Sequence, residues 1–336
     1  MKMEKYPATL VEQYGDALRC DCCVRRCVIN EGKHGLCGTR VNIGGILYSE
    51  IFGMVSSASS DPVEKKPLYH FHPGKTVFSL GSMGCSLKCQ GCQNWQISQD
   101  KGAISRLQYL SPENAIKTAI NHGDAGICWT YNEPAIWLEY TLECAILAKK
   151  AGLFTAYITN GTATREHIDI IGEYLDAYRV DIKAITPENY RKLTGYNDPS
   201  SILINTIHAK KKWRMHVECV TNITPTMNDT PDELSKIAWW ISKNLGIDTP
   251  WHITRFYPQY ELQHIPATPL STIDLAYEIG KDAGLKYIYV GNIPGDKRQD
   301  TLCPMCKAMI IERYGFSMLN NVSNVCECGY KLPIVV

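Results

Sequence analysis

At 336 residues the chain has room for one large α/β domain with appendages or for two ordinary domains. Its 35 Lys and Arg nearly balance its 34 Asp and Glu, which gives no overall pull toward nucleic acid or an anionic membrane, and no apolar run approaches the roughly 20 residues of a membrane span. Because Met1-Lys2-Met3-Glu4-Lys5 lacks the apolar core of a secretion signal, we expect a soluble cytoplasmic protein with no nucleic-acid or membrane partner, whose fifteen cysteines serve metals rather than disulfides.

Five of those cysteines fall between Cys20 and Cys37 among turn glycines. Cys20, Cys23, Cys27 and Cys37 form a CxxCxxxC pattern followed by a lone cysteine. Four thiolates suit a closed tetrahedral zinc site, the default, or an auxiliary iron–sulfur centre, a mononuclear iron or unligated thiols. Cys22 is surplus, and His34 is an alternative ligand or a solvent-exposed turn residue. Short strands are expected at Ile46-Leu47-Tyr48 and Ile51-Phe52-Gly53. The charged, aromatic stretch 61–71 reads as a loop that either straps the surface or walls the active site.

The apolar segment 76–80 leads into Cys85-x3-Cys89-x2-Cys92. Three thiolates in one loop can hold three corners of a [4Fe-4S] cluster and leave one iron open, whereas a structural zinc takes four ligands and no fourth Cys or His follows in the loop. An incomplete zinc knuckle or a chance grouping is the alternative. Beyond it, strand-like runs at 126–131, 154–159, 178–182, 215–221, 252–257 and 287–290 alternate with helical periodicity. Ser111-Pro112, Thr186-Pro187 and Thr230-Pro231 mark helix starts, with Glu233 completing a capping box with Thr230. Strand followed by helix, repeated, predicts parallel strands in a barrel or partial barrel, with functional residues at the strands' C-terminal ends. There lie Glu133, Asn160, Asp181 with Lys183, and Arg255. Asp181 and Lys183 flank Ile182 and so face one side, either meeting a ligand or closing on each other. Cys128, Cys144 and Cys219 stand apart in apolar contexts and are expected in the core. Near the end, Cys303, Cys306, Cys326 and Cys328 frame a β-like stretch in the layout of a zinc ribbon, with rubredoxin-like iron as the rival.

The CxxxCxxC loop resembles the radical S-adenosylmethionine (SAM) superfamily. With 61–71, Gln93-Asn94, 130–134, Thr159-Asn160-Gly161, Asp181-Ile182-Lys183, Asn228-Asp229, His252, Arg255-Phe256-Tyr257-Pro258 and Tyr289-Val290-Gly291-Asn292, the chain is similar to the AmmeMemoRadiSam-system radical SAM enzyme family, itself like pyruvate formate-lyase activating enzymes. The resemblance implies an α/β fold, a partial (β/α)6 radical SAM barrel at 75–300. A Cys-rich N-terminal segment with its strap would occupy 1–74 and a zinc-ribbon-like segment 301–336. It implies that Cys85, Cys89 and Cys92 ligate the cluster and that SAM chelates the open iron. An electron then splits the sulfonium, and the 5′-deoxyadenosyl radical takes hydrogen from a substrate. Glu133 would meet the SAM amino group, Asn160, Asp181 and Lys183 its ribose and methionine portions, and His252 and Arg255 would lie near the mouth on the late strand. Two departures stand out: Gly91 replaces the usual aromatic before the third cysteine, leaving room beside SAM, and the last cysteine pair is CxC. The expected activity is modification of a C–H bond on a protein or peptide side chain, fed by a ferredoxin- or flavodoxin-like reductant. Glycyl-radical formation, cobalamin-dependent C-methylation, a small-molecule radical reaction and a non-enzymatic metal-binding scaffold are the other readings.

Overall fold

The computed structural model describes residues 5–99, 107–320 and 322–336. One eight-stranded sheet organises them. Its strands are β1 (Ser57–Pro62), β2 (Thr76–Gly81), β3 (Gly126–Trp129), β4 (Phe154–Thr159), β5 (Ala177–Asp181), β6 (His216–Ile223), β7 (Trp251–Arg255) and β8 (Ile288–Gly291). They lie side by side in chain order, so the sheet has two free edges and stays an open barrel. Every pairing from β2 to β8 is parallel, and β1 runs antiparallel along β2. The six-strand unit β2–β7 is thus extended by one parallel strand and one antiparallel edge.

The crossovers are helical: α1 (Pro112–His122), α2 (Leu138–Lys150), α3 (Arg165–Ile171), α4 (Pro187–Thr194), α5 (Pro199–Lys211), α6 (Pro231–Asn244) and α7 (Leu270–Asp282). Ser111 and Thr230 cap α1 and α6 through their side chains, as their sequences predict. Thr186 does not cap α4. Glu233 does so from α6, accepting from the Ile185 and Thr186 amides and from Asn189 Nδ2 at 2.9 Å, and its carboxylate therefore serves the neighbouring helix.

Strand alternation sorts the sheet's side chains into two layers. Ile127, Trp129, Tyr157, Tyr178 and Val180 pack outward against the helices, and Val77, Cys128, Ala156, Ile158 and Ala177 point into the barrel. Trp129, Tyr157 and Tyr178 are fully buried, and burial of such side chains stabilises by about 2–3 kcal/mol each. Cys128, Cys144 and Cys219 are buried as expected. The strap 61–71 is no surface feature: it continues from β1 through a short 3-10 turn, Val63–Lys65, and sends Val63, Leu68 and Phe71 into the inner layer. Ile46–Ser49 is a strand, but Ile51-Phe52-Gly53 is a turn, since Gly53 takes a φ of +69° with the Tyr109 ring where a Cβ would stand. The C-terminal segment forms two small hairpins, Thr301–Leu302 with Met309–Ile311 and Arg313–Tyr314 with Ser317–Met318. Among the described residues no helix is long and apolar enough to cross a membrane.

Candidate active site

The cysteine loop leaves β2 and is tied down from several directions. Ser82 N donates to Asn132 Oδ1 at 3.0 Å, and Asn132 Nδ2 donates to Gly84 O at 3.1 Å. Lys88 N and Gln90 N reach the carbonyls of Thr194 and Leu193 at the end of α4. Asn94 Nδ2 holds Tyr131 O at 2.8 Å, and Tyr131 itself sits at φ +70°, a conformation uncommon for a non-glycine residue and frequent at functional sites. Cys85 is buried and Cys89 and Cys92 half-buried. Glu133 acts electrostatically on Cys85, and Lys183 and Asp181 act on Cys89, so the three thiols share one site with these polar residues. Burial pushes the Cys89 thiol up to about 11, with Lys183 opposing, so ligation of a metal there displaces protons.

Each polar residue has a definite place. Glu133 is buried; its Oε1 accepts from Ala135 N at 2.9 Å and Thr159 Oγ1 at 2.6 Å, and its Oε2 from Asn160 N at 2.8 Å. Burial raises its carboxyl to about 7 despite these donors. Oε2 has the single donor and retains capacity for a cation. Asn160 points Nδ2 at Cys85 Sγ, 3.5 Å away, and at Ser86 Oγ, 3.3 Å away, with Oδ1 anchored by Thr162. Asp181 accepts from Lys183 Nζ at 2.8 Å and from Arg179, which alternation places on the same face. Against the cost of burial, Lys183 and Arg179 hold its carboxyl below the usual range. The charge pair therefore closes on itself with an added arginine.

Two expectations are corrected. His252 does not reach an open mouth: it is 2% exposed, its ring lies between Tyr69 and Tyr289, and its Nε2 bonds Glu218 at 2.6 Å. It is the second residue of β7, so the strap covers it. Gly91 leaves no vacancy either, because Phe256 and Leu262 fill it: a Cβ there would stand 3.1 Å from Leu262 and 3.2 Å from Phe256. Glu261 N bonds Gln90 O at 3.0 Å, and Tyr260 stacks on Trp95, which docks the 256–262 loop onto the cysteine loop. Arg255 ends β7 at the rim, but its guanidinium turns to Thr268 O at 2.8 Å and to Tyr257.

Sequence reasoning placed Asp61 only within the strap and passed over Arg40. Asp61 gathers Lys65, Lys66 and Tyr131, with Lys66 Nζ over the Tyr131 ring, and so joins the strap to the mouth. Arg40 is buried among the N-terminal cysteines. The Asp61-x3-Lys65-Lys66 spacing held a signal for the first; nothing local marks the second.

Cys20, Cys23, Cys27 and Cys37 surround one cavity, and His34 instead pairs with Glu50 at 2.8 Å. Cys303, Cys306, Cys326 and Cys328 bring their sulfurs within 4.8 Å of one another, so the CxC pair does not prevent a four-sulfur set. A cavity of about 760 Å³ lies at the opposite end of the sheet, lined by Phe154, Asp176, Met215 and Pro250, and contains none of the site residues.

Residues 80–241 match the model of the radical SAM superfamily. The uncharacterized protein MJ0808 of Methanocaldococcus jannaschii is 38% identical over 325 residues, 95% of this chain and 96% of its own length. The pyruvate formate-lyase-activating enzyme of Listeria monocytogenes is 26% identical over 234 residues, 62% of this chain and 91% of that enzyme. Among solved structures, a radical SAM methyltransferase from Sphaerobacter thermophilus superposes with a TM-score of 0.51 at 15% identity, over 66% of this chain and 67% of that one, a likeness of fold. Residues 80–241 thus carry a radical SAM domain, and that superfamily implies a [4Fe-4S] cluster and SAM as cofactors. The donors fit: three clustered thiols, no fourth cysteine or histidine in the loop, and an amide aimed at one sulfur.

Proposed function

We propose that this protein reductively cleaves SAM at a [4Fe-4S] cluster held by Cys85, Cys89 and Cys92 and uses that cleavage to modify a C–H bond on a protein or peptide side chain, as a member of the AmmeMemoRadiSam-system branch. The observation that carries the reading is the gathering of three thiols beside Glu133, Asn160, Asp181 and Lys183 at the C-terminal ends of parallel strands. When bound, the cluster supplies one electron to SAM at an iron that lacks a protein ligand. In this reading Glu133 takes the SAM ammonium on Oε2, Asn160 donates to the Cys85 thiolate, and Lys183 with Asp181 fixes the polar end of the cofactor. A protein substrate is supported by relatives named as activating enzymes of pyruvate formate-lyase. Phe256 and Leu262 fill the space at Gly91 and leave no room there for a cobalamin beside SAM, so reactions that need no such cofactor stand ahead of cobalamin-dependent methylation.

The test is anaerobic. The reconstituted, reduced protein is given SAM without substrate, and 5′-deoxyadenosine is quantified for the native chain and for Cys92→Ala. We expect slow release from the native chain alone. No release from native protein carrying its full iron and sulfide would return the chain to the metal-binding scaffold reading.

A further inference from the structure

The N-terminal thiols are arranged differently from the C-terminal ones, and the difference bears on what they bind. Cys303 and Cys328 have sulfurs 3.6 Å apart and Cys306 and Cys326 3.4 Å apart, all four lying within 4.8 Å of one another. Zn–S bonds of roughly 2.3 Å make a tetrahedron with edges of about 3.8 Å, so that set is sized for one ion. Among the described residues, Cys20, Cys23, Cys27 and Cys37 make no such close set. With Cys22, Arg40 and Ser86 they line a cavity that keeps about 10 Å³ of room for a water-sized body. Four sulfurs drawn onto a single ion would leave no such room.

One buried neighbour matches an anionic group. Arg40 is 1% exposed; its terminal nitrogens serve Glu139 at 2.8 and 2.9 Å and also Cys22 Sγ and Ile136 O, each at 3.3 Å, but its buried Nε has no acceptor. An unmet buried N–H is costly, and a metal-bound sulfur in the cavity would satisfy it.

We propose that Cys20, Cys23, Cys27 and Cys37 hold a second, fully ligated iron–sulfur cluster of the [4Fe-4S] type, with Arg40 Nε donating to one of its sulfurs. Its cavity borders the cysteine loop. Ser86 lines its cavity, follows Cys85 in the chain, and is held through its carbonyl by Arg25 Nε at 2.9 Å. The proposal does not depend on the SAM reaction.

The experiment reconstitutes the full chain anaerobically, native and as the Cys85→Ala/Cys89→Ala/Cys92→Ala variant, and assays acid-labile sulfide, which neither zinc nor a rubredoxin-like iron contributes. We expect about eight labile sulfides per native chain and about four retained in the variant. Zinc or iron without labile sulfide in the folded variant, or no N-terminal metal, overturns the proposal. Where circular dichroism shows that the variant has not folded, the native chain decides: about eight sulfides support the second cluster and about four overturn it.

Discussion

Asn160 is the residue through which both metal regions touch, since its amide reaches Cys85 Sγ and also Ser86, which borders the N-terminal cavity. A hydrogen bond to a cluster sulfur favours the more negative, reduced state, so its removal lowers the reduction potential. Asn160→Ala is therefore expected to make the open cluster harder to reduce, read as a more negative midpoint in an electron paramagnetic resonance titration, with iron content unchanged. Gly91 gives a second residue-scale prediction. A Gly91→Tyr side chain would enter space held by Phe256 and Leu262, and overpacking of this kind costs about 1–3 kcal/mol. Adding Phe256→Ala should make the double variant's loss in thermal midpoint smaller than the sum of the two single losses; strict additivity would mean that the contact is not what excludes the aromatic.

The strap is the element whose behaviour the sequence told least. The parallel strands were legible because strands buried on both faces read as continuous apolar runs, as Phe154–Thr159 does. The edge strand Ser57–Pro62 escaped because its exposed serines carry no such pattern. His252 was misplaced because the resemblance set it beside Arg255 at the mouth, whereas its position near the start of β7 puts it in the covered lumen. Inside that lumen Glu218 accepts from the Tyr69 and His70 amides at 3.0 and 2.8 Å and from His216 and His252 at 2.9 and 2.6 Å. Against the cost of burial, His216 and His252 hold its carboxyl well below its ordinary 4.5, a contribution present above that value and lost as pH falls toward the folded one. Burial pushes His70 from 6.5 down to about 3, and a histidine kept neutral in this way also loses stability as pH falls below 6.5. Both groups act in the same direction, so the thermal midpoint should decline from about pH 6.5 downward. Between pH 6.5 and 5 the His70 share is about 2 kcal/mol, and His70→Phe should flatten that part of the profile. An unchanged slope would show that His70 remains free to take up a proton. Glu218→Gln, which leaves buried donors unmet, should cost about 3 kcal/mol at neutral pH in urea denaturation.

At the scale of the molecule, the C-terminal segment supports the strap from below while the strap supports the mouth from within. Buried Arg313 donates to Tyr69 O at 2.9 Å and lies over the Tyr69 ring, and the chain at Val335 exchanges backbone bonds with His70 and His72 at 2.9 and 2.7 Å. From there the strap runs to Asp61, Lys66 and Tyr131, whose carbonyl anchors Asn94 of the cysteine loop. The hairpins of this segment, one of which carries Arg313, are too short to be stable alone, so a metal among Cys303, Cys306, Cys326 and Cys328 would supply their folding energy. Cys306 and Cys328 are exposed, so replacing both by serine removes ligands without opening a core cavity. The double variant should bind one metal ion fewer, melt at a lower temperature, and be cut first within 301–336 under limited proteolysis. Its labile sulfide should remain that of the native chain, because Cys306 and Cys328 belong neither to the cysteine loop nor to the N-terminal cavity. Native protease resistance after loss of that ion would mean that Arg313 and Val335 secure the strap unaided and that the metal has no part in holding it.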